Sequence, residues 1–180
     1  CSQACLPGAE PTRKGWVLAV VNQKGGTGKT TTAIHVAAGF AEAGERVLLI
    51  DADAQGNVGT SLDLKSPGTL FHLMIDGESL DNLTTPARAN LDLLGADAGL
   101  AVIDLKLPSM KGRSRVLERH LERWRSHYDR VVIDCGPSLS LLNQNALCAA
   151  TGVLIPVACE YLSLVGVRQV LRTLRNVEKL

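Results

Sequence analysis

The sequence predicts a doubly wound α/β domain, a mainly parallel sheet with helices on both faces, and three observations predict it. Short apolar runs rich in β-branched residues recur along the chain, as strands buried on both faces require. Segments of helical length separate them, so strand and helix alternate. A run of glycines joins the first strand to the first helix, in Lys24-Gly-Gly-Thr-Gly-Lys-Thr-Thr31. The 180 residues suit one domain. With 46% apolar and 21% charged residues the chain can fill a core, and 17 Gly and 5 Cys are too few for a collagen-like or disulfide-scaffold protein. Nineteen basic against 18 acidic residues leave a net charge of +1, so a nucleic-acid or membrane site would have to be local. No apolar run reaches the ~18 residues of a membrane span, and the chain reads as soluble.

Residues 1–14 carry Pro7, Gly8 and Pro11 without periodicity and read as a tail, disordered or foreign to the domain that occupies 15–180. The chain opens on Cys1-Ser2-Gln3 without the charged, apolar and cleavage regions of a signal peptide. Trp16–Val21 is the first strand. Lys29–Ala43 follows as a helix free of proline, with Gly44 where a C-terminal glycine belongs. Arg46–Asp51 is the next buried strand, and a right-handed crossover is the connection this spacing allows. Further strands fit Leu91–Leu94, Arg130–Cys135 and Gly152–Val157, and helices fit 69–75, 97–106, 113–127, 139–150 and 162–180. Strand order is not legible. Cys135, Cys148 and Cys159 stand in apolar surroundings, where a small buried thiol is expected, and the odd count points to a reducing cytoplasm.

The glycine loop carries the most specific chemistry. Its glycines let the backbone curl until several N–H groups converge on an anion, and the helix N-terminus adds its positive end. Gly25, Gly26, Thr27, Gly28, Lys29, Thr30 and Thr31 are therefore the candidate phosphate cradle, with Lys29 reaching the terminal phosphates and the Thr30 hydroxyl on Mg²⁺. The usual first glycine of such a loop is Gln23, and Lys24 is a second cation that the motif does not need. Asp134 closes the Arg130–Cys135 strand, where a carboxylate can hold the Mg²⁺ shell, and Asp51 and Asp53 end the strand Val47–Ile50 in Asp51-Ala-Asp-Ala-Gln-Gly-Asn57. A carboxylate there can orient an attacking water.

Three segments together resemble the deviant Walker A, A′ and B motifs of the ParA/MinD ATPases: Lys24–Thr31, Leu49–Asn57 and Tyr128–Ser138. Asn22-Gln23, Gln55-Gly56-Asn57 and Cys159-Glu160-Tyr161 point to the ParA, or Soj-like, branch. The resemblance implies a P-loop NTPase that binds ATP and Mg²⁺ and dimerises when ATP-bound. Lys24 would reach the partner's phosphates, Asp53 would be the hydrolytic residue, and Asp51 and Asp134 would stand near the metal. It also implies slow hydrolysis stimulated by a ParB-like or cargo-adaptor protein. The implied role is chromosome or plasmid partition, or cargo positioning, by sequence-independent DNA binding on the nucleoid in the cytoplasm, without a membrane partner. Two departures stand out. Ala54 replaces a usual proline and Gly136 another, so both loops are expected to be looser. Family members also run well past this length, which implies a truncated product or a partial sequence.

Two further functions compete. A remnant that regulates a full-length relative without turnover would suit the short chain. An iron-protein reductase would need Cys135 and Cys148 as cluster ligands. Arg168, Arg172, Arg175 and Lys179 are spaced to form one ridge on the last helix, a candidate DNA contact, while Leu164, Val167, Val170, Leu171, Leu174 and Val177 form the face that packs. Arg115, Arg119 and Arg123 read as a solvated face beside a buried stripe of Val116, Leu117, Leu121 and Trp124. His35 is expected to pack inside its helix, and His72, His120 and His127 lack zinc-ligand spacing.

Overall fold

The computed structural model describes residues 15–124, 126–138, 140–158 and 161–177, the side chains of 161–165 and 177 excepted. The expected tail, Cys159, Glu160, the side chains of Tyr161 and Leu164, and Lys179 of the basic ridge lie outside the described residues.

Each apolar run becomes a strand: β1 (Trp16–Val20), β2 (Val47–Ala52), β4 (Leu91–Leu94), β5 (Arg130–Cys135) and β6 (Gly152–Leu154). Among the described residues the sheet has six strands in the order β3-β4-β2-β5-β1-β6, in which β3 is Thr85–Arg88. All pairings are parallel except β3 with β4. Sequence reading misses β3 because Thr85-Pro86-Ala87-Arg88 alternates half-buried with exposed residues and contains a proline. Such a segment is tolerated at a sheet edge, where β3 lies. The last strand stops at Leu154, short of the expected Val157; the proline at 156 has no N–H for a ladder, and its carbonyl accepts from Asn22 Nδ2 at 2.7 Å.

Period-two alternation divides the core. Leu18, Val20, Val47, Leu49 and Val132 face one side and pack with Ala33, Ala37 and Ala41 of helix α1 (Lys29–Glu42) and Val58 of α2 (Asn57–Leu62). Val17, Ala19, Leu48, Ile50, Val131 and Ile133 face the other side, covered by α5 (Val116–Glu122), α6 (Leu141–Ala149) and Val170 of α7 (Tyr161–Val177). Helices thus cover both faces of the sheet. Small alanines let α1 approach it closely, and the helix ends where expected: Gly44 has φ +86°, its N–H donates to Ala41 O, and Glu45 N donates to Phe40 O. At the amino end of β5 the Arg130 guanidinium lies 5.4 Å from the Trp16 ring and 5.2 Å from that of Phe40, and its Nε is 2.6 Å from Glu45 Oε2. That cluster ties β1, β5 and α1 together.

Several helices differ from expectation. The 113–127 segment is helical only over α5, whose first N–H groups are taken by Asn145. The 97–106 segment begins as a 3₁₀ turn over 98–102, with the Asp97 carboxylate accepting from Gly99 N, and continues as α4 (Ile103–Lys106). The 69–75 segment is widened to a π-helical turn over 72–76, and α3 (Leu80–Leu83) follows it. His35 is exposed rather than packed, because it lies on the face of α1 opposite Ala33, Ala37 and Ala41; its Nδ1 stands 2.8 Å from Thr31 O. Val116, Leu117 and Leu121 form the buried stripe of α5, and Trp124 packs against it.

Candidate functional site

Parallel pairing brings the carboxyl ends of β1, β2 and β5 to one edge, the crevice where open α/β sheets bind ligands. The glycine loop leaves β1 there and enters α1 through Gly28, at φ +80°; Gly26 is also left-handed, at φ +71°. A Cβ at either would meet nothing within 4 Å, so glycine is required there by backbone conformation and not by crowding. Lys29 is buried at the start of α1, and its Nζ donates to the Lys24 carbonyl at 3.1 Å, an oxygen that also accepts from the Thr27 hydroxyl at 3.3 Å. The cation is folded back across the mouth of its own loop. Asn22, a marker of the ParA branch whose structural role sequence reasoning missed, is buried and joins this loop to its neighbours: its Oδ1 accepts from Lys24 N at 3.0 Å and its Nδ2 holds Pro156 O. Gly166 of α7 packs on it so closely that a Cβ would stand 2.8 Å from Asn22 Oδ1.

Register sets the carboxylates side by side. Asp134 is the partner of Val20 on one side and of Asp51 on the other. Asp51 is fully buried; its Oδ1 accepts from Asp53 N and its Oδ2 from Val58 N, both at 3.0 Å. Burial raises its pKa to about 7 against those two hydrogen bonds, with Asp134 and Asp53 adding to the rise. Asp51 thereby fixes the turn that carries Asp53 and the start of α2. Asp134 is 1% exposed, and neither carboxylate oxygen has a hydrogen-bond partner. Desolvation raises its pKa to about 6, while the nearby Thr30 hydroxyl and Lys29 charge favour the ionised form. A buried, unpartnered carboxylate beside a hydroxyl and an ammonium suits the water shell of a hard cation. Among the described residues no three His, Cys, Asp or Glu side chains form a metal cage. That donor set fits Mg²⁺, which usually binds through one or two protein groups together with phosphates and water.

Asp53 is half-buried, and its Oδ1 accepts from Gln55 N at 3.0 Å. Its carboxylate faces the loop after β5, with Cγ 3.4 Å from where a Cβ at Gly136 would stand. That loop is tied down despite its glycine: Asn143 Nδ2 donates to Gly136 O at 2.8 Å and to Ser138 O. Asn143 is the second residue sequence reasoning missed. Its signal was a polar side chain at an apolar position of helix 139–150. Cys135 is buried in the core, and desolvation pushes its thiol pKa up, away from the thiolate that an iron–sulfur cluster needs.

The basic ridge stands apart from this edge. Arg168, Arg172 and Arg175 of α7 are exposed, and Val170 and Leu174 pack on the sheet side. Leu171, expected on the packed face, is 46% exposed: at about 100° from Val170 around the helix it sits between the buried stripe and the ridge. No helix among the described residues is long and apolar enough to cross a membrane.

Known proteins resemble the chain in sequence and in fold. The profile of a family described as an AAA domain matches residues 15–180. The sporulation initiation inhibitor protein Soj of Bacillus subtilis is 40% identical over 169 residues, covering 92% of this chain and 67% of its own length. The chromosome partitioning protein ParA of Caulobacter vibrioides is 43% identical over 175 residues, covering 94% of this chain and 64% of its own. Among solved structures, cobyrinic acid a,c-diamide synthase of Mycobacterium smegmatis with bound ADP and magnesium superposes with a TM-score of 0.87 at 37% identity, over 92% of this chain and 69% of that one. An ATP complex of a Cyanothece McdA variant reaches 0.86 at 27% identity, over 92% and 65%. The chain spans about two thirds of the length of these relatives. With the glycine loop, the three strand-end carboxylates and this likeness in agreement, the chain belongs to the ParA/Soj family of P-loop NTPases.

Proposed function

We propose that this chain is the nucleotide-binding part of a partition switch of the ParA/Soj type: it binds ATP with Mg²⁺, dimerises in that state, engages DNA without sequence preference and resets by hydrolysis. The observation that carries the reading is Asp134, buried and unpartnered between Thr30 and Lys29 at the mouth of the glycine loop. Bound Mg²⁺ would neutralise charge on the transferred phosphoryl group. On the protein's side, Lys29 exchanges the Lys24 carbonyl for phosphate oxygens, and the N–H groups of Gly25 to Thr31 line the cradle. Thr30, Asp134 and Asp51 would hold the metal with its water shell, and Asp53 would orient the attacking water. Lys24 reaches the phosphates of a second copy. The ADP–magnesium complex of the Mycobacterium smegmatis relative and the ATP complex of the Cyanothece one support this choice of ligand. The name of the Caulobacter vibrioides relative, a chromosome partitioning protein, supports partition as the process. A ParB-like or cargo-adaptor protein is the expected activator, and the nucleoid in the cytoplasm is the expected place of action.

Calorimetry with Mg-ATP and a phosphate-release assay test the core of this reading. Lys29→Ala abolishes binding. Asp53→Ala binds Mg-ATP, accumulates as a dimer by light scattering and hydrolyses about 100-fold more slowly or worse. A Lys29→Ala protein with the parent's affinity overturns the phosphate-loop assignment.

A further inference from the structure

Asn143 lies in α6, outside every recognised motif, yet both N–H bonds of its buried amide nitrogen go to one loop. That loop follows Asp134 directly, and Asp53 faces it across the space glycine leaves: a Cβ at Gly136 would stand 3.4 Å from Asp53 Cγ and 3.5 and 3.6 Å from its two oxygens. Glycine leaves this loop more backbone freedom than any other residue would. Gly136 and Ser138 also line a cavity of about 20 Å³ together with Val21, Leu147 and Val170, so the packing against the loop is incomplete there. Asn143 opposes that freedom, holding the carbonyls of Gly136 and Ser138 at once. The fold does not need this amide elsewhere. The Ser140 side chain caps α6 by accepting from Asn143 N, and Asn145 caps α5. Asp53 has its own local anchor in Gln55 N, which fixes its turn but not the wall it faces.

We propose that Asn143 is a positioning residue for hydrolysis: by clamping the Gly136 and Ser138 carbonyls it fixes the surface against which the Asp53 carboxylate is held, and so sets the aim of Asp53 at the attacking water. This rests on the reading of Asp53 given under Proposed function. The clamp takes over the restraint that a proline at position 136 would supply through its fixed φ. Gly136 is outside the left-handed region and follows the extended Cys135, the backbone that a residue before proline favours.

The test uses the whole chain in three forms, the parent, Asn143→Leu and Asn143→Leu/Gly136→Pro, with Asn143→Asp as a second donor-free variant of the same shape as asparagine. Mg-ATP affinity, single-turnover hydrolysis and amide hydrogen exchange of the nucleotide-free protein are measured on each. In Asn143→Leu and Asn143→Asp, affinity stays close to the parent's and hydrolysis slows about 10- to 100-fold. Exchange accelerates in both 135–138 and 53–56. The double variant recovers slow exchange and most of the rate, which a loss of general stability would not allow. The proposal is overturned if the donor-free variants hydrolyse ATP like the parent. It is also overturned if the double variant regains loop protection but none of the rate. A parent that binds Mg-ATP without hydrolysing it overturns the functional reading instead, and unchanged exchange at 53–56 in the Asn143 variants then overturns the clamp.

Discussion

Asp134 shows at the scale of one residue how a site is kept ready at a cost to the empty protein. Its two oxygens are buried without partners, and its pKa is raised to about 6; its register neighbour Asp51 is raised to about 7. A carboxyl group whose pKa is higher in the folded than in the unfolded chain stabilises the fold fully below its ordinary value, and that contribution is lost as pH rises through the folded value. Stability of the nucleotide-free protein should therefore fall between about pH 4 and pH 7 and level off above. Asp134→Asn removes one of the two titrating groups, so the fall shrinks, and at pH 8 the variant is more stable than the parent by on the order of 2 kcal/mol. Urea unfolding at pH 5 and pH 8, without nucleotide or magnesium, checks this. A variant that keeps the parent's full pH slope would rule out Asp134 as a source of it. The same substitution should remove the stabilisation that Mg-ATP gives the parent.

Within a single element, α6 serves site and core from opposite sides. Positions 143 and 145 are about 200° apart around a helix, so one asparagine reaches the loop beside Asp53 and the other turns away from it. Asn145 is fully buried and saturated: Oδ1 accepts from Val116 N at 2.8 Å and Leu117 N at 3.2 Å, and Nδ2 donates to Arg113 O at 2.7 Å and Leu141 O at 2.9 Å. It caps α5, whose N-cap position, Arg115, offers no capping side chain. Asn145→Ala leaves those groups without partners in the interior and should cost about 2–4 kcal/mol of stability. Its Mg-ATP affinity should match the parent's, because none of its four partners belongs to the glycine loop or to the strand-end carboxylates. A loss of affinity without a loss of stability would place Asn145 in the site and not in the fold.

Across the whole molecule, the nucleotide edge and the α7 ridge are separate surfaces linked by packing. Gly166 lies on Asn22, and Asn22 holds the start of the glycine loop, so α7 reaches the loop through one buried side chain. If the exposed Arg168, Arg172 and Arg175 contact DNA in the ATP-bound dimer, each phosphate contact steepens the log–log salt dependence of binding by about one unit. The triple change to Glu is then expected to give a shallower slope on unrelated duplexes, with Mg-ATP binding intact. An unchanged slope would leave the ridge as ordinary solvated surface. Lys24→Ala probes the other interface, and should bind nucleotide as a monomer and lose ATP-driven dimerisation in light scattering.

Much of this was legible in the residue order, because the chemistry it depends on is local. A glycine loop between a doubly buried strand and a helix, a lysine and threonine at the helix start, and aspartates closing apolar strands are short-range patterns. The structure keeps each of them at the carboxyl edge. Helix α1 and its glycine stop were readable for the same reason, whereas α5 was overestimated because its start is decided by Asn145, 29 residues away from Val116. Strand order was beyond reach, since apolar runs with the same alternation pair equally well in many orders. The β3-β4-β2-β5-β1-β6 arrangement is chosen by crossovers and by packing on both faces. Only that arrangement puts Asp51 beside Asp134, leaves Asp134 without a partner and brings Asn143 to the loop that faces Asp53. Sequence alone determined which residue types stand ready for phosphate and metal. Tertiary structure decided which of them are buried, paired or held, because desolvation and hydrogen bonding depend on neighbours far away along the chain.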